Sequence, residues 1–229
     1  MDRMNRLAVY FAPRPGAFAT RAAEWLGRDA AGAQEVGQPA LPGLPANPEQ
    51  LTAEPRRYGF HGTLRAPFRP APGLSTGDIA AAVAALAARL PAVRCDGLVL
   101  ESLNGFLALV PTGCEAALME LGAAVVEGTD HLRAPLSAEE IARRRPETLS
   151  SRQRELLHRW GYPFVLEEFR FHLTLTGRLP QEQRIPAATA LQTHFAPVLP
   201  RPFPVEDLCL FGEDAGGMFH LLHRYALTS

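Results

Sequence analysis

Two short matching segments carry side chains suited to moving protons: Phe60-His61-Gly62-Thr63-Leu64 and Phe171-His172-Leu173-Thr174-Leu175. In a β-strand residues i and i+2 stand on one face, roughly 7 Å apart. His61 therefore shares a face with Thr63, and His172 with Thr174, while Phe60, Leu64, Phe171, Leu173 and Leu175 supply the apolar faces that hold the strands to a core. Imidazole has an ordinary pKa near 6.5, so its neutral and charged forms coexist around neutrality. If the two polar faces converge, one histidine can take a proton from an attacking hydroxyl or water. The other can give one to the leaving oxygen of a phosphoester, and each role is worth roughly 10²- to 10⁴-fold. The threonine hydroxyls can donate to the non-bridging oxygens as charge builds up. This scheme makes His61, Thr63, His172 and Thr174 the catalytic candidates and asks for no metal and no cofactor. A single His-x-Thr is more often a structural pair than a catalytic one. Two copies, each after Phe and before Leu, point to chemistry.

Neighbouring positions extend the pattern. Arg65 and Thr176 continue the same rows if the strands stay regular, which makes Arg65 a candidate phosphate clamp through charge-assisted bonds. Tyr10, in the middle of an apolar run, is a candidate for stacking on a substrate ring. The run Arg143-Arg144-Arg145 reads more readily as the basic last turn of a helix than as a ligand contact. His131, His158, His194, His220 and His223 lack the repeat relationship. A metal hydrolase, with His61 and His172 as ligands, needs a third ligand that the sequence does not place beside them.

Elements that would position these residues can be read along the chain. Leu7–Ala12 is a strand, ended by Pro13 and Pro15, and a helix over Phe18–Arg28 puts Ala22, Trp25 and Leu26 on one face. Residues 29–57 lose periodicity and gather five prolines, which reads as a long disordered or functional loop. The first motif follows in an extended stretch over Tyr58–Phe68. Ser75 to Asp78 is a capping box for a helix carrying Ile79, Val83, Leu86 and Leu90. Strands over Leu98–Leu103 and Phe106–Val110 flank Asn104-Gly105, a hairpin signal, and a helix with Leu118, Leu121 and Val125 follows. After a helical connection, with starts at Ser137 and near Ser150, the order returns. The second motif lies in an extended Phe169–Leu179, then comes a helix beginning at Pro186, then strands over Val205–Phe211 and Met218–Leu227. Strand, helix and hairpin thus occur twice, as an internal duplication would give. The reading is an N-terminal lobe over 1–128, a helical connection over 129–166 and a C-terminal lobe over 167–229.

Bulk properties set the frame. A chain of 229 residues with 47% hydrophobic residues can bury a substantial core. With 23 basic and 24 acidic residues, no global field draws it to nucleic acid or anionic membranes. Cys95, Cys114 and Cys209 are odd in number and widely spaced, which argues against a disulfide framework and a thiolate zinc site. They are expected as small core residues. No apolar stretch approaches a membrane span or a signal core, so the expectation is a cytoplasmic, monomeric protein.

The paired His-x-Thr strands in a duplicated chain resemble the two-histidine phosphoesterase superfamily. The stretches AVYFAP, RRYGFHGTLRAPF, LRAPL, ARRRP and RWGYPFVLEEFRFHLTLTGRL are similar to its branch named for phosphonate metabolism. That resemblance implies an α+β, bilobal fold with antiparallel sheets lining a central cleft and helices outside. It implies phosphoester opening at His61, Thr63, His172 and Thr174. The branch more often has alanine where this chain has Gly62, a position facing away from the cleft, with strand stiffness as the expected effect. A small phosphorylated metabolite, such as a cyclic sugar phosphate, is the implied substrate. Nucleoside 2′,3′-cyclic phosphates and RNA ends are the alternative partners, and a non-catalytic nucleotide binder is the rival function.

Overall fold

Local signals set most of the elements in the computed structural model, which describes residues 4–228. In chain order the strands and helices of the first half are β1 (Leu7–Phe11), α1 (Ala17–Leu26), β2 (Arg28–Asp29), β3 (Gln34–Glu35), α2 (Pro48–Arg56), β4 (Gly62–Phe68), α3 (Thr76–Ala87), β5 (Val93–Cys95), β6 (Gly97–Leu103), β7 (Phe106–Thr112) and α4 (Glu115–Gly128). The second half adds α5 (Ala138–Arg143), α6 (Ser151–Trp160), β8 (Leu173–Thr174), α7 (Gln181–Phe195), β9 (Phe203–Val205), β10 (Asp207–Glu213) and β11 (Phe219–Ala226). Complete capping boxes at Ser75, Ser137 and Ser150 start α3, α5 and α6. Asn104 and Gly105, with φ of 48° and 94°, turn the β6–β7 hairpin.

A seven-stranded sheet, ordered β11-β10-β1-β4-β8-β7-β6 and antiparallel throughout, is the scaffold. The motif strands β4 and β8 are its central neighbours. On one face α3 packs against β10 and β11, α4 against β4, and α7 against β6 and β7. That face holds the main core, with Trp25, Leu64, Ile79, Leu109, Leu173 and Phe195 among its buried residues. The opposite face opens into a cleft. The architecture is α+β, with antiparallel strands lining the cleft and helices outside.

The lobes expected at 1–128 and 167–229 are not separate sheets; residues 1–3 and 229 of those ranges lie outside the described residues. Hairpin β6–β7 follows the first motif in sequence yet pairs with β8, the strand of the second. Hairpin β10–β11 follows the second motif yet pairs with β1, beside the first. The duplicated units exchange hairpins, so each half of the sheet is discontinuous in sequence.

Three further expectations need correction. Residues 29–57 form a short β2–β3 ladder and helix α2, whose start is an Asn47 cap accepting the Glu49 amide, followed by Pro48 in the first turn. Helix α7 begins at Gln181 and contains Pro186, which is exposed, so the carbonyl it leaves unbonded can face water. Cys95 and Cys114 are disulfide-bonded and Cys209 alone is free and buried. The pair looked distant because the β6–β7 hairpin, which brings the end of β5 back to the start of α4, lies between them.

Candidate active site

The register of β4 and β8 builds the site. Gly62 is the cross-strand partner of Leu173. Continuing that antiparallel register one residue each way sets His61 opposite Thr174 and Thr63 opposite His172. The four side chains thus occupy the corners of one cell of the sheet, roughly 5 Å across and 7 Å along the strands. Each histidine faces the other motif's threonine, and the two imidazoles lie on a diagonal. All four line a single cleft of about 500 Å³.

The two histidines are held alike. Nδ1 of His61 donates to the carbonyl of Gly59 at 2.8 Å, and Nδ1 of His172 to the carbonyl of Arg170 at 2.7 Å. A carbonyl can only accept, so in the neutral ring the proton sits on Nδ1 and Nε2 keeps a lone pair. Nε2 of His61 lies 3.2 Å from the Thr63 hydroxyl. Tyr10 stacks on the His61 ring with centroids 3.9 Å apart, and Phe106 lies 5.5 Å from the ring of His172. Burial lowers both imidazole pKa values, that of His61 to about 4, with His172 adding a smaller repulsion. Both rings are therefore neutral at pH 7 when the cleft holds no anion.

Gly62 and Leu173 close the back of the cell. A β-carbon on Gly62 would lie 2.3 Å from Cζ of Phe171, so glycine here lets the Phe171 ring pack directly against the strand backbone. Close packing, more than strand stiffness, is what this position constrains.

Tyr10 lines the cleft, only 1% exposed and committed to the His61 stack. Thr176 reaches the wall, but its hydroxyl accepts from the Leu107 amide at 3.0 Å and donates to the Gly177 carbonyl at 2.8 Å. Arg65 is not in the cleft. Tyr10 pairs with Thr63 while the next residue back, Val9, pairs with Arg65, so β4 carries an extra residue at Leu64. Such a bulge turns both of its residues to one side. Leu64 and Arg65 consequently point toward α4, where Arg65 meets Asp130 at 3.2 Å and the Val126 carbonyl at 3.3 Å. It is 2% exposed, and burial pulls its pKa down to about 10 against the support of Asp130.

Several cleft residues escaped the sequence reading. Arg57 and Tyr58, just upstream of the first motif, line the wall, as do Arg6, Tyr162 and Arg178. Arg143 closes α5 as the basic last turn read from the sequence, and it and Arg144 also line the cleft. Adjacency to the motif could have flagged Arg57 and Tyr58. Arg6 and Tyr162 had no comparable signal. Among the described residues no group of three or more His, Cys, Asp or Glu is placed to hold a metal ion, and no helix is long and apolar enough to cross a membrane.

Comparison with known proteins fits this picture in part. The chain is 37% identical over 222 residues to the ribose 1,5-bisphosphate phosphokinase PhnN of Janthinobacterium sp. (strain Marseille), covering 94% of this chain and 49% of that protein. It is 40% identical over 221 residues to the protein of the same name from Laribacter hongkongensis (strain HLHK9), covering 94% and 50% respectively. The chain thus spans about half the length of the curated relatives it matches. Among solved structures, E. coli LigT complexed with 3′-AMP aligns over 98% of both chains at 16% identity and a TM-score of 0.43, too low to carry fold or activity across. A family model described as "Protein of unknown function (DUF1045)" matches residues 63–220, a span that takes in Thr63, His172 and Thr174, and the chain belongs to that family.

Proposed function

We propose that this chain is a phosphoesterase that opens a cyclic phosphodiester of a small phosphorylated metabolite, by paired-histidine acid–base catalysis without a metal. The observation that carries the reading is the matched pair of imidazoles. Each has Nδ1 tied to the carbonyl two residues upstream, and each belongs to a motif whose register sets it across from the other motif's threonine. With the phosphorus over the centre of the cell, the two Nε2 atoms lie on opposite sides of it, as in-line displacement requires. His61, whose pKa is driven down to about 4, is assigned as the base. It takes a proton from water as the water oxygen bonds to phosphorus. His172, protonated once the anion is bound, gives its proton to the ester oxygen as the P–O bond breaks. The products are a phosphate monoester and a free hydroxyl. Thr63 and Thr174 donate to the non-bridging oxygens.

A cyclic sugar phosphate is the favoured substrate. The relatives are named for acting on ribose 1,5-bisphosphate, which supports a small sugar phosphate, and a cleft of about 500 Å³ suits a ligand of that size. The kinase named for those relatives has no evident seat here. All 23 basic residues of this chain are arginines, so the lysine of a phosphate-binding P-loop is absent. The working picture is a monomeric cytoplasmic enzyme, with nucleoside 2′,3′-cyclic phosphates or RNA ends as the second substrate class. Turnover of cyclic sugar phosphates, nucleoside cyclic phosphates and linear diesters in excess chelator tests the reading. Cleavage of a cyclic class supports it, and activity that needs an added metal, or none on any ester, removes it.

A further inference from the structure

Charge is uneven along the cleft. At the end of β4, where Ala66 and Pro67 continue the wall beyond Thr63, Arg143 and Arg144 line the opening together with Tyr162. The Arg144 guanidinium lies 4.9 Å from the centre of the Tyr162 ring. The carboxylate that also lines this end, Glu140, is already committed. Arg69 donates to it at 3.0 and 2.9 Å and the Ser137 amide at 2.8 Å, and the Arg69 bonds foremost hold its pKa to about 2. No carboxylate lies within ion-pair distance of Arg143 or Arg144 among the described residues, although Arg145 has one in Glu147.

The other end is closer to balance. There Gly177 is bonded to Leu51 of α2, and Arg178 and Glu54 both line the wall. Toward the end of β4, where Leu7 of β1 pairs with Phe68, Arg6 and Arg57 share the carboxylate of Glu213. Among the described residues Arg143 and Arg144 therefore stand at the end of β4 without a carboxylate partner, two charges where the close of a six-residue helix requires fewer.

We propose that Arg143, Arg144 and Tyr162 form a subsite for a second phosphate, a terminal monoester on the same molecule whose reacting ester sits between His61 and His172. This rests on the phosphoesterase reading above and adds the substrate class: a small metabolite carrying two phosphates. The reacting diester brings one negative charge, which the histidine–threonine cell can meet. A monoester brings about 1.5 to 2 more at pH 7, which matches the two free guanidinium groups. Guanidinium is a planar fork suited to phosphate oxygens, and stacking on Tyr162 holds the Arg144 fork in place before the ligand arrives. The subsite makes the enzyme read both ends of its substrate.

Calorimetry with ribose 1-phosphate and ribose 1,5-bisphosphate, which differ only by the terminal phosphate, measures the subsite without relying on turnover. Wild type is expected to bind the bisphosphate at least about tenfold more tightly, as one or two charged hydrogen bonds would give. In the Arg143→Ala/Arg144→Ala double variant that ratio falls below about twofold, while Arg143→Lys/Arg144→Lys recovers part of it. A wild-type ratio near one, a ratio unchanged in the alanine variant, or no binding of the bisphosphate overturns the subsite. Turnover of cyclic esters is scored separately. A phosphate preference without ester cleavage keeps the subsite and sinks the phosphoesterase reading, whereas cleavage without the preference does the reverse.

Discussion

The pH dependence of kcat/KM puts the electrostatics of the two histidines under direct test. Productive enzyme needs one ring neutral and one protonated, and kcat/KM reports these states in the free protein. Burial lowers both pKa values below 6.5, that of His61 to about 4, so above pH 6.5 the singly protonated pair becomes rarer by about tenfold per unit. With a cyclic diester that has no other ionisable group, only the enzyme titrates. Between pH 6.5 and 8.5 kcat/KM should then fall about a hundredfold, with its maximum on the acid side. Bound substrate brings a negative charge beside both rings and raises their pKa values, so the kcat profile should sit at higher pH than that of kcat/KM. Initial rates under subsaturating and saturating substrate, in buffers of constant ionic strength, separate the two. A kcat/KM that stays flat or rises from pH 6.5 to 8.5 would refute the argument, because free histidines neutral at pH 7 could not supply the acid.

Other consequences concern stability and connectivity. Asp130→Ala would leave buried Arg65 without its carboxylate and should cost about 3 kcal/mol in urea unfolding with KM barely changed; a large rise in KM would return Arg65 to substrate binding. His61, His172 and His194 all have folded pKa values below the ordinary 6.5, so the unfolded chain binds more protons in the window below it. Their stability contribution is complete above pH 6.5 and is lost as pH falls; for His61 and His194 the loss extends toward about 4 at roughly 1.4 kcal/mol per unit each, and substituting His61 should flatten that slope. The Cys95–Cys114 bridge closes a loop with a sequence separation of 19 and should contribute about 3 kcal/mol. Thiol counting of unfolded, unreduced protein should find one free cysteine, and three would remove the bridge.

Much of this site was legible because its logic is local. His-x-Thr on a strand fixes which side chains share a face, and the second copy identified the partner without any knowledge of the fold. Capping boxes and the Asn104-Gly105 turn marked their elements for the same reason, each being a contact between residues a few positions apart. What could not be read depends on long-range pairing. The bulge that turns Arg65 away from the cleft exists only in the register of β4 against β1, and a regular strand would have kept it beside Thr63. The β6–β7 hairpin between Cys95 and Cys114 hid the disulfide, and the exchange of hairpins hid the true halves of the sheet. Tyr162 and Arg144 enter the cleft because α5 is tied through Glu140 to Arg69, just past the end of β4, and Arg144 lies over the Tyr162 ring, contacts no periodicity encodes.

The most direct test of the central claim is single-turnover cleavage of a cyclic phosphodiester, in chelator, by wild type, His61→Ala and His172→Ala, with each fold checked by circular dichroism. Paired acid–base catalysis predicts a loss of about 10²- to 10⁴-fold in each variant, and little further loss when both are combined. Full activity in either folded single variant would contradict it.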